Sequence, residues 1–261
     1  MIFLKTDEEV ELLRESNRLL AMTLAEVAKV IAPGVTTKQL DSLAYEYIKD
    51  NGGEPSCLGY EGYPATLCIS VNEQVVHGIP SDKVVLKEGD IVSVDSCVKL
   101  NGFHSDSAYT FPVGEVSPEV MTLLKTTKEC LYLGIEQAVA GKRVGDISYA
   151  IEHHAAQVGF SVTHDFVGHG IGREMHEDPE IPNFGRRGNG VVLKDGMVIA
   201  IEPMVLMGRR NTIIENDGWT ARTADRKPAA HYELSVCVRR GKADVLSTFD
   251  YIKEVLGEKF I

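Results

Sequence analysis

The chain has 261 residues, enough to bury one large core, and carries a formal net charge of -11. That balance argues against direct nucleic-acid binding, which needs clustered Lys and Arg, and the pairs Arg186-Arg187, Arg209-Arg210 and Arg239-Arg240 stand apart. Five scattered cysteines without CxxC spacing suggest neither a disulfide framework nor a structural zinc cluster; Lys5, Asp7, Glu8 and Glu9 exclude a secretory signal, no charge-free stretch approaches ~18 residues, and the expected location is cytoplasmic with no membrane association.

Thr6 to Glu9 reads as a capping box. Val10, Leu13, Leu20, Leu24, Val27 and Ile31 then continue at helical spacing to Pro33-Gly34, which predicts one long helix. A shorter helix opens at Thr36 to Gln39, presents Leu40, Leu43, Ala44, Tyr47 and Ile48 on one face, and stops at Gly52-Gly53. The same order returns later, with a helix from Ser117-Pro118 to Gly141 and another from Asp146 to Gly159.

Between and after these helices lies a duplicated segment. Val84 to Asp95 matches Val191 to Glu202 at a constant offset of 107 (191 - 84 and 202 - 95). In both copies a glycine turn leads into an apolar β-branched run, expected as a buried strand ending in a carboxylate. Either acid alone reads as a turn cap. Both in register instead suggest that Asp95 and Glu202 face each other across a central site, where only neighbouring positive charge makes their burial tolerable.

After Asp95 a turn at Asn101-Gly102 predicts a hairpin returning to Asp106, so that Asp95 and Asp106 share a face. In the second half the strand Tyr232 to Val236 brings Glu233. Four inward carboxylates with almost no compensating Arg or Lys make a cation site. His169, in the glycine-rich run Gly168 to Gly172, adds a nitrogen donor. This oxygen-rich set suits two Mn(II), Fe(II) or Co(II) ions, whose charge would cancel that of the four acids. Paired ions of this kind lower the pKa of a shared water and polarise a carbonyl, so hydrolysis is the expected chemistry. His77 and His176 remain as donors to a tetrahedral intermediate. His104, His153, His154 and His164 read as structural, and His231 is left open.

The strings Cys57 to Pro64, Val76 to Pro80, Val94-Asp95, Gly102 to Asp106, Gly168 to Gly172, Ile201 to Met204 and Tyr232-Glu233 together resemble the type I methionine aminopeptidases of metallopeptidase family M24. These have the pita-bread fold shared with creatinase and prolidase. The resemblance spans nearly the whole chain. It implies an α+β architecture of two pseudo-symmetric halves, roughly 1-110 and 111-261, forming a single catalytic domain with a central antiparallel sheet flanked by helices. It further implies Asp95, Asp106, His169, Glu202 and Glu233 as ligands of two divalent ions (Co, Mn, Fe, Ni or Zn). Glu202 would shuttle the proton of the bridging water, whose hydroxide attacks, with His77 and His176 on the scissile amide. Cys57, Tyr60, Tyr63, Cys68 and Trp219 would surround the methionine side chain, where soft and aromatic neighbours suit a thioether.

The implied substrate is the initiator methionine of nascent polypeptides with a small second residue. Transient ribosome association is compatible with that role, though the acidic balance gives it no support, and nothing demands more than a monomer. Met175 stands where the family often has an aromatic residue, His231 where it usually has Gln, and Leu234 where it usually has His or Asn; none of the three is expected to be a ligand. The zinc-binding N-terminal extension of some members and the type II insertion are not expected. A prolidase or aminopeptidase P relative usually adds an N-terminal domain, and a non-catalytic pita-bread module loses its ligands. Here all five ligand positions and both histidines stand.

Overall fold

The computed structural model describes residues 1–261. Helix α1, Asp7–Val30, begins with the expected capping box, in which Thr6 accepts from the Glu9 N–H and Glu9 accepts from the Thr6 N–H. Helix α2, Thr37–Asp50, repeats the device with Thr36 and Gln39. Helix α3, Pro118–Ile135, is capped by Ser117 but ends before the expected Gly141. Its continuation is captured by later segments of the same half: the Ala140 N–H donates to Arg239 O and the Gly141 N–H to Leu193 O. Helix α4, Val144–Val158, starts two residues before Asp146, whose carboxylate instead accepts from the Arg143 and Gly188 N–H groups. Gly159, at φ 89°, terminates it as expected. A last short helix, α5, spans Asp250–Leu256.

The helices flank a nine-stranded sheet whose pairings are all antiparallel. Its central path runs from Ile91–Leu100 through Phe103–Pro112, Glu233–Cys237, Val198–Ile201 and Val167–Gly170 to Glu177–Pro182. Asn101 and Gly102 both adopt positive φ, which closes the predicted hairpin with Leu100 opposite Phe103. The strand Glu233–Cys237 joins the halves, pairing with Phe103–Pro112 on one side and Val198–Ile201 on the other. Two three-stranded sheets lie beside it, one of Ala229–His231, Met204–Leu206 and Ser161–Val162, the other of Thr212–Ile214, Ala221–Thr223 and Gln74–Val76. A cluster of 44 buried hydrophobic residues fills the space between helices and sheet.

The repeat offset survives in three dimensions. Thr36 bridges Val85 as Arg143 bridges Val192, and both steps are 107 residues. The Gly89 N–H donates to Val113 O, and the Gly196 N–H donates to Val238 O, each at the end of the adjoining strand. The halves differ where their acids sit. Asp95 lies in the middle of a ten-residue strand, because the hairpin keeps pairing beyond it. Glu202 falls just past a four-residue strand, since Pro203 has no N–H to continue the ladder and the chain turns into the neighbouring sheet at Met204.

Candidate metal centre and substrate cavity

The register brings the predicted acids together. Cys97 pairs with Asp106 and Asp95 with Ala108, so Asp95, Cys97 and Asp106 project from one face of the hairpin. Glu233 sits opposite Ala108 on the next strand, and Glu202 follows the strand beyond. His169 enters from the neighbouring strand between two glycines. A Cβ on Gly168 would lie 2.5 Å from Ala200 O, and one on Gly170 would lie 2.3 Å from Asp178 O, so only glycine lets the backbone hold the imidazole at this depth.

His169 Nε2 lies 3.7 Å from Asp106 Oδ2 and 3.6 Å from Glu202 Oε1. Its Nδ1 lies 2.9 Å from Gly170 O, which accepts the Nδ1 proton and leaves Nε2 as a lone-pair donor. Donor atoms of Asp106, His169 and Glu233 all fall within 4.8 Å of one another, as do those of Asp95, Cys97 and Asp106. Burial and mutual repulsion push Asp95, Glu202 and Glu233 well above the usual carboxylate range, and burial pushes Asp106 up to about 8. Burial likewise pushes His169 and His231 down to about 3, so neither imidazole supplies a compensating charge near neutral pH.

This donor set fits divalent cations. Asp95 Oδ1, Asp106 Oδ1 and Glu233 Oε1 are buried without a hydrogen-bond partner. No Lys or Arg is among the 24 residues that line the cavity, so the positive charge that ionised acids require must come from elsewhere. Four carboxylates and a lone-pair imidazole, lacking one another's hydrogen bonds, form the oxygen-rich ligand chemistry of hard to borderline ions.

The acids end a cavity of about 640 Å³. Every residue expected around the substrate lines it: Cys57, Tyr60, Tyr63, Cys68, His77, His176 and Trp219. Cys57, Tyr63, Cys68, Cys97 and Met175 form a buried apolar cluster with Trp219 packed against it. The rings of Tyr63 and Trp219 meet edge to face at 5.1 Å. Tyr63 is more deeply buried than its loop position suggests, and its hydroxyl donates to Leu67 O and Gly78 O, so it presents ring rather than hydroxyl to the cavity. Tyr60 stays at the exposed rim, its hydroxyl 2.8 Å from His176 Nδ1. His176 packs edge-on to His169 at 4.3 Å between ring centroids. His77 adopts a left-handed φ of 60° and lies between Phe166 and Trp219. Burial lowers the pKa of both histidines, which favours their neutral forms.

Among the other histidines, His104 contacts the Ser56 hydroxyl, His153 stacks on Tyr149, His154 pairs with Glu129 and His164 stacks on Phe184, in agreement with structural roles. Several cavity residues escaped the sequence reading. Cys97 was legible in principle, since it stands two positions after Asp95 on a strand and therefore shares its face. Phe166 carried no such signal. Behind the cavity wall, the role of Lys5 is also unforeseen: it forms a buried ion pair with Glu177, whose other oxygen accepts from the Arg173 and Glu174 N–H groups. That pair closes the turn between His169 and His176.

The sequence model of metallopeptidase family M24 matches residues 11–240. A methionine aminopeptidase of Clostridium perfringens is 50% identical over 247 residues, covering 95% of this chain and 99% of the relative. The crystal structure of a Thermotoga maritima methionine aminopeptidase superposes with a TM-score of 0.93 at 44% identity, covering 95% of this chain and all of that one. A prolidase from Pyrococcus furiosus, at 22% identity and a TM-score of 0.75 over 94% of this chain and 65% of its own, shares the fold alone. The chain belongs to metallopeptidase family M24, and within it to the methionine aminopeptidases. None of its helices is long and apolar enough to cross a membrane.

Proposed function

We propose that this chain hydrolyses the peptide bond after an N-terminal methionine, with Asp95, Asp106, His169, Glu202 and Glu233 holding two divalent ions. The observation that carries the reading is the meeting of a buried, uncompensated acid cluster with an apolar wall of thiols and aromatic rings in one cavity. Bound ions of this kind supply Lewis acidity, which activates water and polarises a carbonyl. Co, Mn, Fe, Ni and Zn all suit the donor set.

The residues divide the remaining work. Cys57, Tyr63, Cys68 and Trp219 receive the thioether, for which soft and aromatic surfaces are favourable partners. Tyr60 orients His176 through its Nδ1 contact, so that Nε2 faces the cavity. His77 and His176, kept neutral by burial, hydrogen-bond the scissile amide and the oxyanion that develops from it. Glu202 takes a proton from the attacking water and delivers it to the leaving nitrogen, releasing methionine and a shortened chain.

The substrates in this reading are nascent polypeptides with a small second residue, met in the cytoplasm by a monomer, transiently at the ribosome. The 261 residues act as one catalytic domain whose halves, roughly 1-110 and 111-261, each contribute acids to the seam. Peptide cleavage measured with each metal after chelation tests this. Methionyl-alanyl peptides should be cleaved far faster than methionyl-leucyl or Xaa-Pro peptides, and only with added metal. Metal-independent turnover, or equal cleavage of all three, would overturn it.

A further inference from the structure

His231 ends the strand Ala229–His231, opposite Met204, and is buried. Thr110 fixes its backbone on both sides: the His231 N–H donates to Thr110 Oγ1 at 2.9 Å, and the Thr110 hydroxyl lies 2.8 Å from His231 O. The ring is thereby aimed into the acid cluster. Nε2 lies 3.8 Å from Glu202 Oε2 and 3.8 Å from Glu233 Oε2. Both distances exceed a hydrogen bond, and neither ring nitrogen has any partner. A buried imidazole with two idle nitrogens is unfavourable unless something else engages it.

The spacing identifies what that is. Two donors each ~2.1 Å from one ion, and roughly 110–120° apart around it, lie roughly 3.4–3.6 Å from each other. The separations at His231 are close to this value, and so is the 3.6 Å between His169 Nε2 and the other Glu202 oxygen, Oε1. Glu202 therefore stands between two imidazoles, one facing each of its oxygens. We infer that His231 is itself a ligand of the cation site, supplying a second nitrogen donor beside Glu202 and Glu233. This rests on the reading of the acid cluster as a holder of divalent ions, and it reverses the expectation that His231 is not a ligand. The set becomes four carboxylates and two imidazoles. Added nitrogen shifts preference toward Co(II), Ni(II), Fe(II) and Zn(II) and away from Mg(II) and Ca(II).

Paramagnetic proton NMR of the full chain loaded with Co(II) tests the assignment. Each ligating imidazole contributes one strongly shifted N–H resonance that disappears in D2O. Two such signals are expected from the native protein, and one from His231→Gln, with cobalt affinity in that variant weakened at least about 10–100-fold. A single exchangeable signal in the native protein, or two that survive in His231→Gln, would overturn the inference. Should His231→Gln fail to fold, the count in native protein carrying 15N-labelled histidine decides the matter alone. Equilibrium dialysis separates the two levels: failure to bind cobalt at all sinks the cation-site reading, whereas binding with one shifted imidazole sinks only the role of His231.

Discussion

Removing the metal should leave a protein whose stability falls as pH rises through the neutral range, and Asp106 gives the contribution of one proton within that effect. Its carboxyl is pushed up to about 8 in the folded state from an ordinary 3.8. Between those values the folded chain holds a proton that the unfolded chain has released. Stability therefore declines across that window, and this contribution is level below and above it. One proton of difference amounts to about 1.4 kcal/mol per pH unit, or roughly 2.7 kcal/mol from pH 5 to pH 7. For a chain of this size that corresponds to a fall in Tm of roughly 5–11 °C. Because the acids share their protons, the cluster as a whole supplies the difference. Asp106→Asn removes the titrating group at nearly constant shape, so the chelated variant should lose that part of the slope. Added cations should stabilise the native chain more at pH 7 than at pH 5, since protons compete for the same oxygens. Urea or thermal unfolding of chelated and metal-loaded protein at the two pH values measures all of this. Identical slopes in the native chain and Asp106→Asn, or cation stabilisation independent of pH, would refute the reasoning.

Glu202→Gln should lower kcat roughly 10²–10⁴-fold in a peptide assay with the variant still folded; near-normal kcat would remove its proton-transfer role. Lys5→Met leaves Glu177 buried without its partner, at a cost of about 3–5 kcal/mol in urea unfolding, and the double variant with Glu177→Met should recover much of that loss. Trp219→Ala removes the ring against Tyr63 and His77 and should cut kcat/KM for methionyl peptides roughly tenfold, mostly through KM, as expected for about 1.4 kcal/mol of lost contact; an unchanged KM would place the methionine side chain elsewhere.

The helix starts were legible because each carries a local chemical signal. Thr6 with Glu9, Thr36 with Gln39, and Ser117-Pro118 can be recognised without knowing what the helices pack against. The four acids and one imidazole of the cluster were legible for a different reason: alternation along a hairpin and a repeat at constant offset constrain facing positions across the chain. Features set by tertiary hydrogen bonds were hidden. Helix α3 stops early because Leu193 and Arg239 capture the segment after it. His231 reaches the acids only because its short strand registers against Met204, a pairing that three residues of ordinary composition do not announce. Tyr63 reads as a loop residue until the carbonyls of Leu67 and Gly78 draw its hydroxyl inward.

The location of the acids at the join between the halves explains how the fold tolerates them. Glu233–Cys237 pairs with Phe103–Pro112 at only two registered positions, Glu233 with Ala108 and Leu234 with Ser107. Side chains reinforce this short contact: the Ser107 hydroxyl donates to Glu233 O, and the Ser235 hydroxyl donates to Asp106 O. The backbones bearing the two acids are therefore tied from both directions, and repulsion between the carboxylates cannot be relieved by sliding one strand along the other. The remaining ways to relieve it are protonation and cation binding, and the first gives way as pH rises. Rigidity at the seam thus turns an electrostatic cost of folding into affinity for divalent ions, in line with the general exchange of stability for function at active sites.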